Sequence, residues 1–549
     1  MIRTRQDHRR NFLKSTLFGA SLVGWQLIKP GPSQASENTD RDLLTTPGKQ
    51  KKIRGIEVHN TSPNPKVEEA VLFSFDSHSI PFTSGLRLQM VSGKGYGRKT
   101  PIVLKRSKHS APDDDFVRFY GTVIPFENEL RMWYPARGKL DPRTGYYRLC
   151  YATSNDGRNW EKPELGLIEY DSSRANNAVD LFHGEGGLIC GPIIFDPADS
   201  DPDRRFKGAF WTRKYGGKAA VAYSPDGLHW KESPNNPRGP YIEQSGLIRH
   251  NGCYYLNGHG GAMQPGPLRN MVTYASYDFE NWTTASRLSY QRDRQPAALH
   301  QHDASTGGEQ VHLGAGLWDR GNVILGVTDL WHGHPSGDLR LVTMDIGLLI
   351  SHDALHYFEP VPDFRLVPAY QEIGYKMDFI DHEDNVRRLS RSAISHGQGM
   401  CNWKDETLLF YEAWNDGDVR LASWPRDQLG YLGYYDAERQ LGVERRSEIP
   451  RHCITCPLRS DRSTSRVFVN VGGLSEYSEL LVEVLDEQFR PVKEYSGDAC
   501  IPLREPGLRQ PVSWKGKADT IDFRGPFRLQ ITFRGIRPED IKLYALYVG

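Results

Sequence analysis

The sequence predicts an all-β protein, a five-bladed β-propeller followed by a β-sandwich. Three observations predict it. A heptad of the form Ser-x-Asp-x-x-x-aromatic occurs four times, strand-like runs with polar turns between them surround every copy, and 53 glycines and 35 prolines among 549 residues supply the turns that many short strands need. Aromatic residues reach 11%, so those strands carry large side chains.

The heptads run Ser154–Trp160, Ser224–Trp230, Ser276–Trp282 and Ser351–Tyr357, with 70, 52 and 75 residues between successive terminal aromatics. Those intervals suit a four-stranded sheet with generous loops, one blade per interval. In each copy the Ser and Asp side chains are placed to bond nearby backbone groups while the aromatic folds over the turn, so the motif is read as structural. A fifth unit, "AISHGQGMCNWKDETLLFYEAW" then "VRLASWPRD", has the same strand grammar without the box. Five units close a ring, leaving an axial funnel lined by the first strand of each.

The two ends of the chain read differently. Arg9 and Arg10 precede a short apolar run, Leu17 to Ile28, and then "PSQASEN", which reads as a twin-arginine export signal ending near residue 40. The run is too short and too broken by glycine to span a bilayer comfortably. The expected location is periplasmic or secreted, with no stable membrane insertion once the signal is removed. Replacing Arg9 and Arg10 by Lys is expected to hold the precursor in the cytoplasm; normal export of that variant would retire the assignment. Residues 41–450 are assigned to the propeller with an N-terminal lead-in, and 451–549, with alternating strands broken at "DEQFRP", to the β-sandwich. Trp514 of that module is taken as an exposed candidate for glycan stacking.

Net charge is +1, which points to no polyanion, and no basic stripe suits nucleic acid. The seven scattered cysteines do not suggest a disulfide framework. Cys453-x-x-Cys456 beside His452 lacks the second pair a metal site of that type requires.

"LCYATSNDGRNWEKPELGLIEY" with "NNAV", then "FDPADSDPDRRFKGAFW" and "YSPDGLHW", resemble the exported five-bladed propellers of glycoside hydrolase families 32 and 43, over roughly residues 65–435. The Asn-Asp-Pro-Asn-Gly and Arg-Asp-Pro signatures of the invertases are absent. The resemblance implies an exported glycoside hydrolase acting on an extracellular polysaccharide or oligosaccharide with a carboxylate pair in the funnel. The alternatives are a non-catalytic sugar-binding propeller and a glycoside phosphorylase.

On that resemblance the candidate catalytic acids sit near the starts of first strands. They are Asp115, the last of "DDD"; Glu185 in "FHGEGG"; and Glu243 before "GCYYLNGHGG", the expected proton donor. Glu243 is followed by Gln244-Ser245 where the family carries Gly-Pro, and its structural alternative is a salt bridge to Arg249. Asp196 reads as a turn cap. Glu309, His312, Trp318 and Trp331, with Asp329 and His332, and Gln398 and Asn402, with Trp403, are the candidate sugar-binding groups of the last two blades, because aromatic faces stack on sugars while His, Asn and Gln bond hydroxyls. No cofactor is expected beyond a structural calcium. The histidines, His300 and His302 included, fit no standard metal spacing.

Overall fold

The structure is a computed structural model. It describes residues 54–94, 102–141, 147–182, 187–189, 191–260, 269–292, 308–333, 342–369, 392–413, 417–434, 451–517 and 519–549, and the backbone of Lys376–Ile380 and Val386–Ser390. The export segment, Glu185, Cys190, His300 and His302 lie outside the described residues.

Strands and short 3-10 turns build the described chain, with no α-helix among those residues. Five antiparallel sheets follow in order. The first holds Phe116–Val117 and Thr122–Phe126, then Glu129–Arg137 and Arg148–Ser154. The second runs from Ile193–Phe195 through Phe206–Trp211 and Ala219–Ser224 to Lys231–Glu232, and the third from Glu243–His250 through Cys253–His259 and Met271–Ser276 to Thr283–Tyr290. The fourth holds Glu309–Asp319, Ile324–His332 and Thr343–Ser351. The fifth, Ile394–Trp403, Glu406–Ala413 and Asp418–Pro425, takes its outer strand, Ile102–Lys105, from ahead of the first sheet. That pairing fastens the ring where its two ends meet. The first strands touch in cyclic order, and Gln398 pairs in parallel with Thr122 across the closure.

The four boxes form the turn that their sequence predicts. In the first, Ser154 Oγ accepts from the N–H groups of Asp156 and Gly157, and Asp156 Oδ1 accepts from those of Arg158 and Asn159 at 2.8 Å. The Trp160 indole N–H then donates to Gly157 O at 3.0 Å. The second copy repeats every one of these bonds. In the fourth, Tyr357 has no indole N–H to offer, yet Ser351 and Asp353 hold the turn in the same way. The boxes also join blades, since Trp133 of the first sheet donates to Gly227 O and Trp403 of the fifth to Asn155 O.

The sandwich differs from the expected boundaries. One of its sheets contains Ile56–Val58, Lys66–Val67 and Phe82–Ser84 beside Leu458–Ser460, Phe527–Gly535, His452–Ile454 and Ser478–Asp486. The other contains Ala70–Phe73, Leu86–Met90 and Gly430–Tyr434 beside Lys542–Val548, Val467–Gly472 and Gly507–Pro511. Residues 56–90 are therefore strands of the sandwich and not a lead-in to the propeller, and the sandwich begins again before residue 450. Its core includes Val469, Val482, Leu529, Ile531 and Leu546. A second apolar cluster runs from Phe73, Phe75 and Tyr547 into Val327, Ile350, Tyr411 and Trp424, so the sandwich is packed onto the fourth and fifth blades.

Trp514 is not exposed. Only 1% of it is accessible; its indole N–H donates to Val482 O, and its ring meets Tyr495 edge-on. Cys453 and Cys456 are likewise buried as free thiols, and burial pushes both up to about 12, which removes the thiolate that metal or redox chemistry needs. Among the described residues, no group of three or more His, Cys, Asp or Glu side chains is placed to hold a metal ion. No helix among them is long and apolar enough to cross a membrane.

Candidate active site

The two ends of the ring are built unequally. At the far end, first and second strands join through turns as short as Asn251-Gly252 and Lys404-Asp405, and the boxes occupy the same end. At the entry end, where the first strands begin, the second and third sheets are joined by the long connection 233–242. Long loops on a rigid ring are where binding groups collect.

Three first strands are bulged near that end, between Gln244 and Gly246, between His312 and Ala315, and between His396 and Met400. A bulge adds a residue without a ladder partner and re-aims side chains. Leu313 takes φ 63° within its bulge. The strands also approach too closely for a side chain: a Cβ on Gly246 would lie 2.0 Å from Ala315 O, and one on Gly316 2.3 Å from Gly397 O.

The bulges gather a buried polar network around Asp329, which is fully enclosed. Its Oδ1 accepts from His396 N at 2.9 Å and His396 Nδ1 at 2.7 Å, and its Oδ2 from His312 Nδ1 at 2.7 Å and Ser395 Oγ at 2.5 Å. Burial alone would raise this carboxyl; the two histidines outweigh it and hold Asp329 at about 2. His396 Nε2 in turn meets Ser245 Oγ at 2.6 Å. His312 stacks on Trp331 at 5.9 Å, and burial lowers its affinity for a proton. Glu412, 1% exposed on the second strand of the fifth blade, accepts from the Phe119 N–H. Burial pushes it up to about 7 against the pull of Arg118, so its carboxyl is poised between protonated and ionised near neutral pH.

Glu243 stands above this network with 34% of its side chain accessible. His259 Nε2 lies 3.6 Å from Oε2, and burial and nearby Arg269 hold that imidazole well below its ordinary range, so it is neutral. The Tyr241 hydroxyl reaches Glu243 Oε1 at 3.4 Å, and the Tyr241 ring, 39% exposed, faces the same approach. Arg249 pairs with Asp196 instead, so Glu243 does not form the salt bridge that was its structural alternative. Asp196 also caps its turn, accepting from Ala198 N.

Asp113 and Asp114 are buried in structural bonds, to Tyr134 and Lys162 and to the backbone of Ser110 and Lys139. Asp115 immediately precedes the short strand Phe116–Val117 and is held by Arg137 at 2.8 Å. Glu309 is at the entry end, bonded to Arg292 at 2.6 Å and His332 at 2.8 Å. Burial opposes charge on His332, but its bonds to Asp345 and Glu309 prevail and hold it at about 9, an imidazolium at neutral pH.

The expected sugar-binding set is divided. Glu309, His312 and Trp331 are at the entry end, although Trp331 is 2% exposed and committed to His312 and Arg269. Gln398 is spent on the ring itself, accepting from Leu247 N and donating to Ile193 O. Trp318 and Asn402 line a cavity of about 620 Å³ at the far end, with Arg249, Asp319, Arg320 and Arg426. Sequence reasoning missed Tyr120, Tyr241, Ser395, His396 and Glu412. Ser395 and His396 lie in "AISHGQG", which was read for strand grammar alone, and Tyr241 lies two residues before Glu243, which drew attention by itself.

No family model matches the chain, and no curated protein matches it. Among solved structures, a glycosyl hydrolase from Bacteroides ovatus aligns over 62% of this chain and 95% of its own, at 15% identity and a TM-score of 0.40. A structure of the GH130 family, described as mannoside phosphorylases that include glycoside hydrolases targeting β-1,2 mannosidic linkages in Candida mannan, aligns over 62% and 97%, at 15% and 0.40. A fructofuranosidase from Schwanniomyces occidentalis aligns over 84% and 98%, at 10% and 0.35. At these identities and scores the likeness has no bearing on the chemistry of the site.

Proposed function

We propose that this chain is an exported glycoside hydrolase whose site is the entry end of the propeller. The observation that carries the reading is Glu243, an accessible carboxyl at the rim of an otherwise buried polar ring, beside a neutral imidazole and an exposed aromatic face. Glycoside cleavage needs one acid to protonate the leaving oxygen and a second carboxylate on the other side of the sugar. Glu243 is assigned the first role. Asp115, bonded by Arg137 at 2.8 Å, is assigned the second, and Glu185, outside the described residues, remains the expected modulator. Tyr241 offers the face on which a sugar ring stacks, and Glu309 a hydroxyl acceptor.

Phosphorolysis has an observation of its own. Arg118, stacked on Tyr120 at 4.5 Å, and Arg269, stacked on Trp331 at 5.3 Å, bring two cations to this end. Product analysis on a panel of oligosaccharides, with and without inorganic phosphate, separates the readings. Free reducing sugar formed without phosphate is the expected result. A sugar phosphate formed only when phosphate is present makes the chain a phosphorylase, and sugar binding without turnover on any substrate makes it a binding propeller.

A further inference from the structure

Ser245, His396 and Asp329 come from three different blades and meet in one line. Ser245 Oγ is 2.6 Å from His396 Nε2, and His396 Nδ1 is 2.7 Å from Asp329 Oδ1. The tautomer follows from the bonds. Asp329 is acceptor-only when ionised, so His396 Nδ1 carries a proton, and in the neutral imidazole Nε2 then presents a lone pair to the serine hydroxyl. The carboxylate is itself fixed by Ser395, His312 and the His396 N–H, so the imidazole has one orientation. This is the order of roles in serine acyl transfer: nucleophile, base, and a carboxylate that orients the base.

The bulge at Ser245 leaves that residue without a ladder partner opposite it. Ser245 is buried but retains 7% of its surface, while His396 and Asp329 have none, so what access the chain of bonds has is at its serine end. Gln244, next to it, is fully buried with neither side-chain amide atom hydrogen-bonded. An unanswered buried amide beside the bulge is costly.

We propose that Ser245 is a nucleophile that removes a short acyl group from an ester, its small accessible surface limiting the acyl chain. Ser245 Oγ adds to the ester carbonyl carbon as its proton passes to His396 Nε2. The bond from that carbon to the alcohol oxygen breaks, and the alcohol leaves with the proton. Water then adds to the acyl carbon, giving one proton to His396, and the bond from that carbon to Ser245 Oγ breaks as His396 returns the proton to Oγ. The balance is ester plus water to carboxylic acid plus alcohol, with no redox change. Asp329 touches neither ester nor water and is a positioning residue. The proposal does not rest on the glycosidase reading, since Glu243 takes no part in it.

The intact wild-type protein, treated with a fluorophosphonate probe and digested for peptide mass spectrometry, is expected to carry one adduct, on Ser245. With p-nitrophenyl acetate, Ser245→Ala is expected to turn over at least about 100-fold more slowly than wild type. No adduct on Ser245, or turnover unchanged in Ser245→Ala, overturns the proposal. The labelling arm stands even if the variant fails to fold.

Discussion

Trp230→Ala is expected to destabilise the protein by about 3–5 kcal/mol, the usual cost of truncating a buried aromatic side chain. Trp230 is 8% exposed, meets Phe210 edge-on, and belongs to the cluster that joins the first and second blades through Trp133, Tyr151 and Phe206. Its indole N–H donates to Gly227 O at 2.7 Å, the same carbonyl that takes Trp133 Nε1 at 2.7 Å. Truncation therefore opens a cavity and removes one of two donors from a carbonyl that holds the blades together. Thermal or urea unfolding of the purified variant measures the loss. A variant that keeps its melting temperature but loses activity would make the box a functional site.

The boxes were legible because every bond that makes them closes within seven residues. Ser154, Asp156 and Trp160 state their own turn wherever they occur. The sandwich was not legible to the same extent. Its N-terminal strands pair with partners far along the chain, Glu57 with Arg459 and Ala70 with Val548, and no local pattern announces such a partner. The expected boundary at residue 450 failed for that reason.

The site was legible in part. Glu243 was found because it starts a first strand. Trp318 and His312 share one first strand, yet Glu309–Asp319 is 11 residues long, about 35 Å at the usual rise, so its ends open onto opposite faces of the ring. Sequence spacing put both in one site. Asp329 and Glu412 lie on second strands, and bulges bring first-strand histidines and backbone to them. A bulge at Ser245 or Leu313 has no residue signature of its own, so the network around Asp329 could be seen only with the strands in register.

Burial decided the other differences. Trp514 was taken as exposed, but it lies outside the strands in an isolated bridge with Cys500 and turns inward onto Tyr495, its indole N–H on Val482 O. Asp113 and Asp114 belong to a run of three acids, a pattern that usually marks a solvated loop. Lys162, Tyr134 and two backbone N–H groups from outside the run consume them instead.

The assignment of Glu243 is the claim on which the glycosidase reading depends. Glu243→Gln preserves size and hydrogen bonding but has no proton to give. Because the side chain is partly open and has no salt bridge to Arg249, the variant is expected to fold and to bind oligosaccharide as wild type does. Its turnover of a natural glycan, whose leaving group is poor, is expected to fall at least about 100-fold, the lower end of what general acid catalysis contributes. A nitrophenyl glycoside, whose leaving group needs little protonation, should lose much less. The direct measurement is the ratio of these two losses in Glu243→Gln against wild type. A large loss on the glycan and a small one on the nitrophenyl glycoside is the expected result, and unchanged turnover of the glycan would contradict it and move the proton donor elsewhere, to Glu309 first.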